Sequence, residues 1–173
     1  MPALQVDDLR FTFSAHVIAE PYDKWHYYTT ISWQQKKAVD VVAVENPTAP
    51  TITWLIEAKD FRSAYPPKRS RIGSLPQTVA IKMEHTLQGL ENAAINAMIT
   101  SEKHHATIAV AAPTKRAVLH LEPHVGPHTK LFPVGFEASV LQKLRQLVRA
   151  TDPNPLVLNI ANTAGAGVPW TAA

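Results

Sequence analysis

Asp40, Glu57 and Lys59 are the residues whose types and spacing could do chemistry. Asp40 is the single acid in an apolar run, Ala38-Val39-Asp40-Val41-Val42-Ala43-Val44, and Glu57 and Lys59 lie two apart in Thr51-Ile52-Thr53-Trp54-Leu55-Ile56-Glu57-Ala58-Lys59-Asp60-Phe61. Side chains alternate between the faces of a strand. Thr53, Leu55, Glu57 and Lys59 therefore share one side, and Ile52, Trp54, Ile56 and Ala58 the other. A buried Glu–Lys pair is often no better for stability than apolar residues, so the pair calls for a purpose. If the two runs pair, the Asp40 and Glu57 carboxylates converge. Convergent carboxylates make a hard-oxygen site suited to Mg²⁺ or Mn²⁺. A neighbouring ammonium can orient a water or balance charge developing on a phosphate. The chemistry that uses such a set is phosphodiester hydrolysis; the plainer reading is an ion pair that only supports folding.

The elements that must position these residues follow from pattern. Arg10 to Ile18 alternates as a half-buried strand, with Phe11, Phe13, Ala15 and Val17 on one side. The aromatic and β-branched stretch Trp25 to Trp33 predicts another strand after a turn at Glu20 to Asp23. The runs bearing Asp40 and Glu57 are joined by Asn46-Pro47-Thr48-Ala49-Pro50, which predicts a hairpin. Their near-continuous hydrophobicity predicts central strands covered on both faces. A helix is expected from Pro76 to about Thr100, with Ser74 as N-cap and Gln77 completing a capping box. Val79, Met83, Leu87, Leu90, Ala94 and Ala97 would form its buried face, interrupted by Gly89. Beyond it, Ala106 to Ala112 and Ala117 to Leu121 read as strands and His124 to Pro133 as a loop. Glu137 to Ala150 reads as a second helix and Leu156 to Ile160 as a last strand.

With 173 residues, 46% hydrophobic and 18% charged, the chain suits one globular domain. The expected division is a domain over 1–162 and a loosely ordered tail over 163–173. A net charge of +3 tolerates a polyanionic partner without requiring one. The lack of cysteine excludes disulfides, thiolate metal sites and thiol catalysis. No secretory leader pattern and no apolar run of about 18 to 20 residues is visible, so a cytoplasmic protein with no membrane partner is expected.

Val39-Asp40, a loop and then Ile56-Glu57-Ala58-Lys59 together resemble the PD-(D/E)xK signature of restriction-endonuclease-like nucleases, over roughly residues 30 to 112. Val39 stands where that motif has proline. The resemblance implies an α/β fold with a mixed central sheet flanked by helices. It implies a metal-dependent nuclease, DNA being the favoured substrate, with Mg²⁺ or Mn²⁺ held by Asp40, Glu57 and the Ala58 carbonyl. Lys59 is then the catalytic lysine. The family often opens its core with a helix bearing another acid, for which Glu20 is the nearest residue. It also often adds a polar residue from the following helix, here Gln77 or Lys82, although solvent exposure is the simpler reading of both.

Lys36 and Lys37 precede the Asp40 strand, and Lys68, Arg69 and Arg71 follow the Lys59 strand. These five are the candidate nucleic-acid contacts, through backbone phosphates. Trp33, Tyr27 and Tyr28 could stack on bases but read first as core. His120, His124 and His128 recur every four residues, but Pro123 and Pro127 forbid the helix that would align them on zinc. His104 and His105 would complement a helix C-terminus. A chain this short is expected to dimerise or to use a targeting partner. The alternative function is a binding module for nucleic acid or protein that keeps the nuclease fold without turnover.

Overall fold

The computed structural model describes residues 1–31, 36–62, 72–124 and 129–173. Its strands are β1 (Ala3–Val6), β2 (Leu9–Phe13), β3 (Val17–Glu20), β4 (Val41–Glu45), β5 (Ile52–Asp60), β6 (Thr114–Glu122), β7 (Leu156–Leu158) and β8 (Trp170–Ala172). Its α-helices are α1 (His26–Ile31), α2 (Leu75–Asn96), α3 (Thr100–Ala111), α4 (Phe136–Leu147) and α5 (Ile160–Thr163).

A mixed five-stranded sheet, ordered β3-β4-β5-β6-β7, lies at the centre. Strands β3, β4 and β5 pair antiparallel, whereas β6 joins β5 and β7 joins β6 in parallel. The alternation expected of β4 and β5 is realised. Val42, Val44 and Leu55 pack with Val79, Met83 and Leu90 of α2 and Ala106 and Ala109 of α3. Val41, Ala43, Trp54, Ile56 and Ala58 face the other way, against Leu9, Phe11, Phe13 and Trp170. Those last four belong to a second, antiparallel sheet, β1-β2-β8. The order of layers is thus a small sheet, the five-stranded sheet, then helices. Both faces of the central strands are dry, which explains their continuous hydrophobicity.

Several expected elements differ. The alternating run Arg10 to Ile18 is broken at residues 14–16 and feeds two sheets, because Phe13 ends its pairing opposite Trp170 while Val17 begins pairing with Glu45. The turn expected at Glu20 to Asp23 is present as a 3-10 turn (Tyr22–Lys24), but the aromatic stretch after it, expected as a strand, is helix α1 over His26–Ile31. Helix is favoured there by a distant residue: the Glu102 carboxylate accepts the backbone N–H groups of His26 at 2.7 Å and Tyr27 at 3.0 Å. These are otherwise orphan donors of a first turn. The expected strand Ala106 to Ala112 lies in α3, whose buried residues His105, Ala106, Ile108 and Ala109 follow helical spacing. The next strand is longer than expected and central, because β6 aligns with all of β5 from Ile52↔Thr114 to Asp60↔Glu122. Ser74 caps α2 without a side-chain cap bond, so the capping box does not form. The residues expected as a loose tail follow α5 and end in β8, which pairs with β2. There Trp170 is 3% exposed and meets Trp54 edge-on at 5.1 Å.

Two features set the tolerance of the helical layer. A Cβ added to Gly89 would lie 2.1 Å from the Tyr22 hydroxyl. Tyr22 cannot withdraw, since it is 1% exposed and packed on Trp25 and Tyr28 at ring separations of 4.9 and 5.7 Å. Gly89→Ala is therefore expected to destabilise by about 1 kcal/mol or more, despite the roughly 1 kcal/mol it gains in helix propensity. The Tyr22 hydroxyl has no hydrogen-bond partner among the described residues, so Tyr22→Phe should be near neutral and should rescue Gly89→Ala in urea unfolding. His105 is 3% exposed against Trp25, and burial pushes its pKa down to about 4 from 6.5. The unfolded chain takes up that proton first as pH falls. The stability His105 allows is complete above about pH 6.5 and is lost between there and about pH 4, by roughly 3 kcal/mol in total. His105→Leu should flatten that part of the stability–pH curve.

Candidate active site

The pairing Val41↔Ile56 places Asp40 opposite Glu57, at the edge where β4 begins and β5 nears its end. The spacing 40, 42, 44 on β4 and 53, 55, 57, 59 on β5 turns both carboxylates towards α2. Glu57 is 0% exposed. Asp40 is fixed by its own neighbour strand, one carboxylate oxygen (Oδ2) accepting the Ala58 backbone N–H at 2.7 Å. Its other oxygen, Oδ1, stays directed at the space between the strands and the helix.

That space is filled by ammonium groups. Lys59 Nζ lies 2.5 Å from Glu57 Oε1 and donates to the Ala58 carbonyl at 2.9 Å. Lys82, from α2, donates to both Glu57 oxygens at 2.7 and 2.9 Å and stands 3.9 Å from Asp40 Oδ1. The sequence-predicted set of Asp40, Glu57, Ala58 and Lys59 is thus brought together, and Lys82, named from the sequence beside Gln77 as a possible helix contribution but read first as solvent-exposed, joins it. The signal lay in helical spacing: Lys82 is three residues after Val79 and four before Thr86, both fully buried. Gln77 instead lines a 480 Å³ cleft between α2 and the end of α4, among Ala80, Ile81, Leu147 and Val148.

Burial is the main influence on Glu57 and raises its pKa, with the nearby Asp40 charge adding to it. Lys59 and Lys82 pull the other way without cancelling the rise. For Lys59, burial opposes the charge, but Glu57 and then Asp40 outweigh it and raise its pKa. The two directions are compatible because Glu57 has lost all of its water while the Lys59 side chain keeps 29% exposure. A dehydrated carboxylate with a second acid nearby, already drawing two cationic groups, fits a cation. Its available donors, Asp40 Oδ1, the Glu57 oxygens and the Ala58 carbonyl, are all hard oxygens of the kind Mg²⁺ and Mn²⁺ take.

The basic pair beside the site is anchored by the same helix. Lys37 donates its backbone N–H to His85 Nδ1 at 3.0 Å, and Val39 donates to Thr86 Oγ1 at 3.0 Å. The side chain of Lys36 donates to Gln88 Oε1 at 3.1 Å. Lys36 and Lys37 therefore run along α2 one to two turns beyond Lys82. Lys68, Arg69 and Arg71 lie outside the described residues, as do Trp33 and His128. Glu20 ends β3 opposite Val42, and burial and then the like charge of Glu102 raise its pKa. Tyr27 and Tyr28 pack partly buried against the core. Of the described histidines in the four-residue series, His120 Nε2 pairs with Glu122 Oε1 at 2.9 Å on the opposite face of the sheet, and His124 Nδ1 lies 3.1 Å from the Phe61 carbonyl. Among the described residues, no group of three or more His, Asp or Glu side chains is placed to hold a metal. No helix among them is long and apolar enough to cross a membrane.

No family model, curated protein or solved structure matches the chain.

The charge balance at Glu57 has a measurable consequence. Lys82→Met strips the buried carboxylate of a bidentate donor and should lower apo-protein stability by about 2 kcal/mol. Adding Glu57→Gln to Lys82→Met should recover most of that loss, because the unpaired charge goes with it. Urea denaturation of the single and double variants reads the coupling, and additive effects would refute it.

Proposed function

We propose that this chain is a metal-dependent nuclease of the restriction-endonuclease-like PD-(D/E)xK type, hydrolysing phosphodiester bonds, with DNA the favoured substrate. The observation that carries the reading is the convergence of Asp40, Glu57, the Ala58 carbonyl and the Lys59 ammonium at one sheet edge. The order of elements agrees with it. An antiparallel hairpin bears the acids, a long helix covers them, and a parallel strand follows. That strand is β6, which contains the expected strand Ala117 to Leu121; the strand expected before it, Ala106 to Ala112, lies in α3 instead.

In this reading Asp40, Glu57 and the Ala58 carbonyl hold Mg²⁺ or Mn²⁺, which supplies charge stabilisation at the phosphate and acidifies water. Asp40 is preoriented for this by the Ala58 N–H, so little side-chain freedom is lost on binding. Lys59 steers the attacking water or balances charge on the phosphate oxygens. Lys36 and Lys37, tied along α2, provide the charge that neutralises flanking phosphates. The described residues of one copy present one such centre, so cutting both strands of a duplex calls for a second copy, and a partner protein would serve for targeting.

The complete burial of Glu57 favours the second reading, a binding module in which the ion pair only supports the fold. Cleavage of plasmid, linear and single-stranded DNA and of RNA with Mg²⁺ or Mn²⁺ separates the two. Activity should fall by about 100-fold or more in both Asp40→Ala and Lys59→Ala and vanish with a chelator. Absence of cleavage together with absence of calorimetric Mn²⁺ binding would replace the nuclease by the binding module.

A further inference from the structure

We infer that Lys82 is a displaceable counter-cation, whose ammonium holds the carboxylates together without a divalent ion and leaves them when one binds. The inference deepens the metal reading above and rests on it.

The two lysines at the site are not equivalent. Lys59 touches one oxygen of Glu57 and the carbonyl of Ala58. Lys82 alone engages both oxygens of Glu57, and it alone stands between Glu57 and Asp40 Oδ1, at 2.7, 2.9 and 3.9 Å. It occupies the point on which both carboxylates converge. An octahedral Mg²⁺ binds oxygen at about 2.0 to 2.1 Å, so an ion using the same oxygens and an ammonium at hydrogen-bond distance from them would crowd two cations together. The softer competitor moves. Lys82 is suited to it: the ammonium ends a flexible four-carbon stem, and the stem starts from α2 rather than from the strand that carries Glu57. Lys59 is the more exposed of the two, at 29%, but it is built on β5 itself and also donates to the Ala58 carbonyl there.

The exchange also fits the charge of the site. Asp40, Glu57, Lys59 and Lys82 together sum to zero. A divalent ion makes the cluster cationic and frees an ammonium at its mouth, both of which favour an arriving phosphodiester. By linkage, a polyanion that draws Lys82 away must raise metal affinity by the factor with which the metal raises polyanion affinity.

The test uses the full chain without nucleic acid. Mn²⁺ binding by calorimetry should be roughly 10- to 100-fold tighter in Lys82→Met than in wild type, the equivalent of one or more charge-assisted hydrogen bonds no longer competing. Lys82→Gln should show the same direction and serves if the methionine variant folds poorly. In wild type, the ammonium nitrogen resonance of Lys82, identified by its loss in Lys82→Gln, should shift to that of a free lysine on saturation with diamagnetic Mg²⁺. Equal Mn²⁺ affinity in wild type and both variants, or an unmoved Lys82 resonance in the Mg²⁺-saturated protein, overturns the displacement while leaving the metal site standing. Failure of Mn²⁺ to bind wild type and variants alike removes the metal site and the displacement together.

Discussion

A carboxylate with no exposure, Glu57, sits on a central strand, and much of the surrounding structure serves to make that burial tolerable. An isolated ion taken out of water is far too costly to keep; it must be paired and hydrogen-bonded. Two ammonium groups provide that pairing from different elements, Lys59 from β5 and Lys82 from α2. The requirement fixes more than a side chain. It constrains the rotation of α2 about its axis, because Lys82 must look inward, all the more so because the register of β4 sets a second, like charge, Asp40, across from Glu57.

The rest of the fold reinforces those placements. Thr86 and His85, one turn beyond Lys82, take the backbone N–H groups of Val39 and Lys37 and so tie the approach to β4 against the helix. Gly89, another turn on, lets α2 close on Tyr22 without a Cβ between them. On the far side of the sheet, Phe11, Phe13, Trp54 and Trp170 seal the backs of β4 and β5. Thr53 Oγ1 donates to the Ala109 carbonyl and pins β5 to α3. Side chains that look unrelated in sequence thereby hold two acids and two lysines in one geometry.

That geometry is balanced rather than relaxed. Its four charges cancel, yet the buried carboxylate still disfavours ionisation because ammonium contacts do not replace a lost hydration shell in full. Under the proposed metal reading, a harder and more highly charged cation would supply the stabilisation that the ammonium contacts leave missing.

Sequence by itself determined the parts that depend on local period. Alternation in β4 and β5 placed Asp40, Glu57 and Lys59 on one face, and the 3.6-residue recurrence of Val79, Met83 and Leu90 defined α2. Tertiary structure decided the parts that depend on distant partners. The aromatic run at Trp25 to Ile31 has strand propensity, but Glu102, far along the chain, caps it as helix. Ala106 to Ala111 is apolar enough for a strand, yet its buried residues meet the sheet from helix α3, leaving the place beside β5 to β6. The Ala- and Gly-rich tail closes because Trp170 finds Phe13 and Trp54. Lys82 belongs to the same class: helical spacing sets it on the side of Val79 and Thr86, but what turns its charge inward is a buried carboxylate on another element.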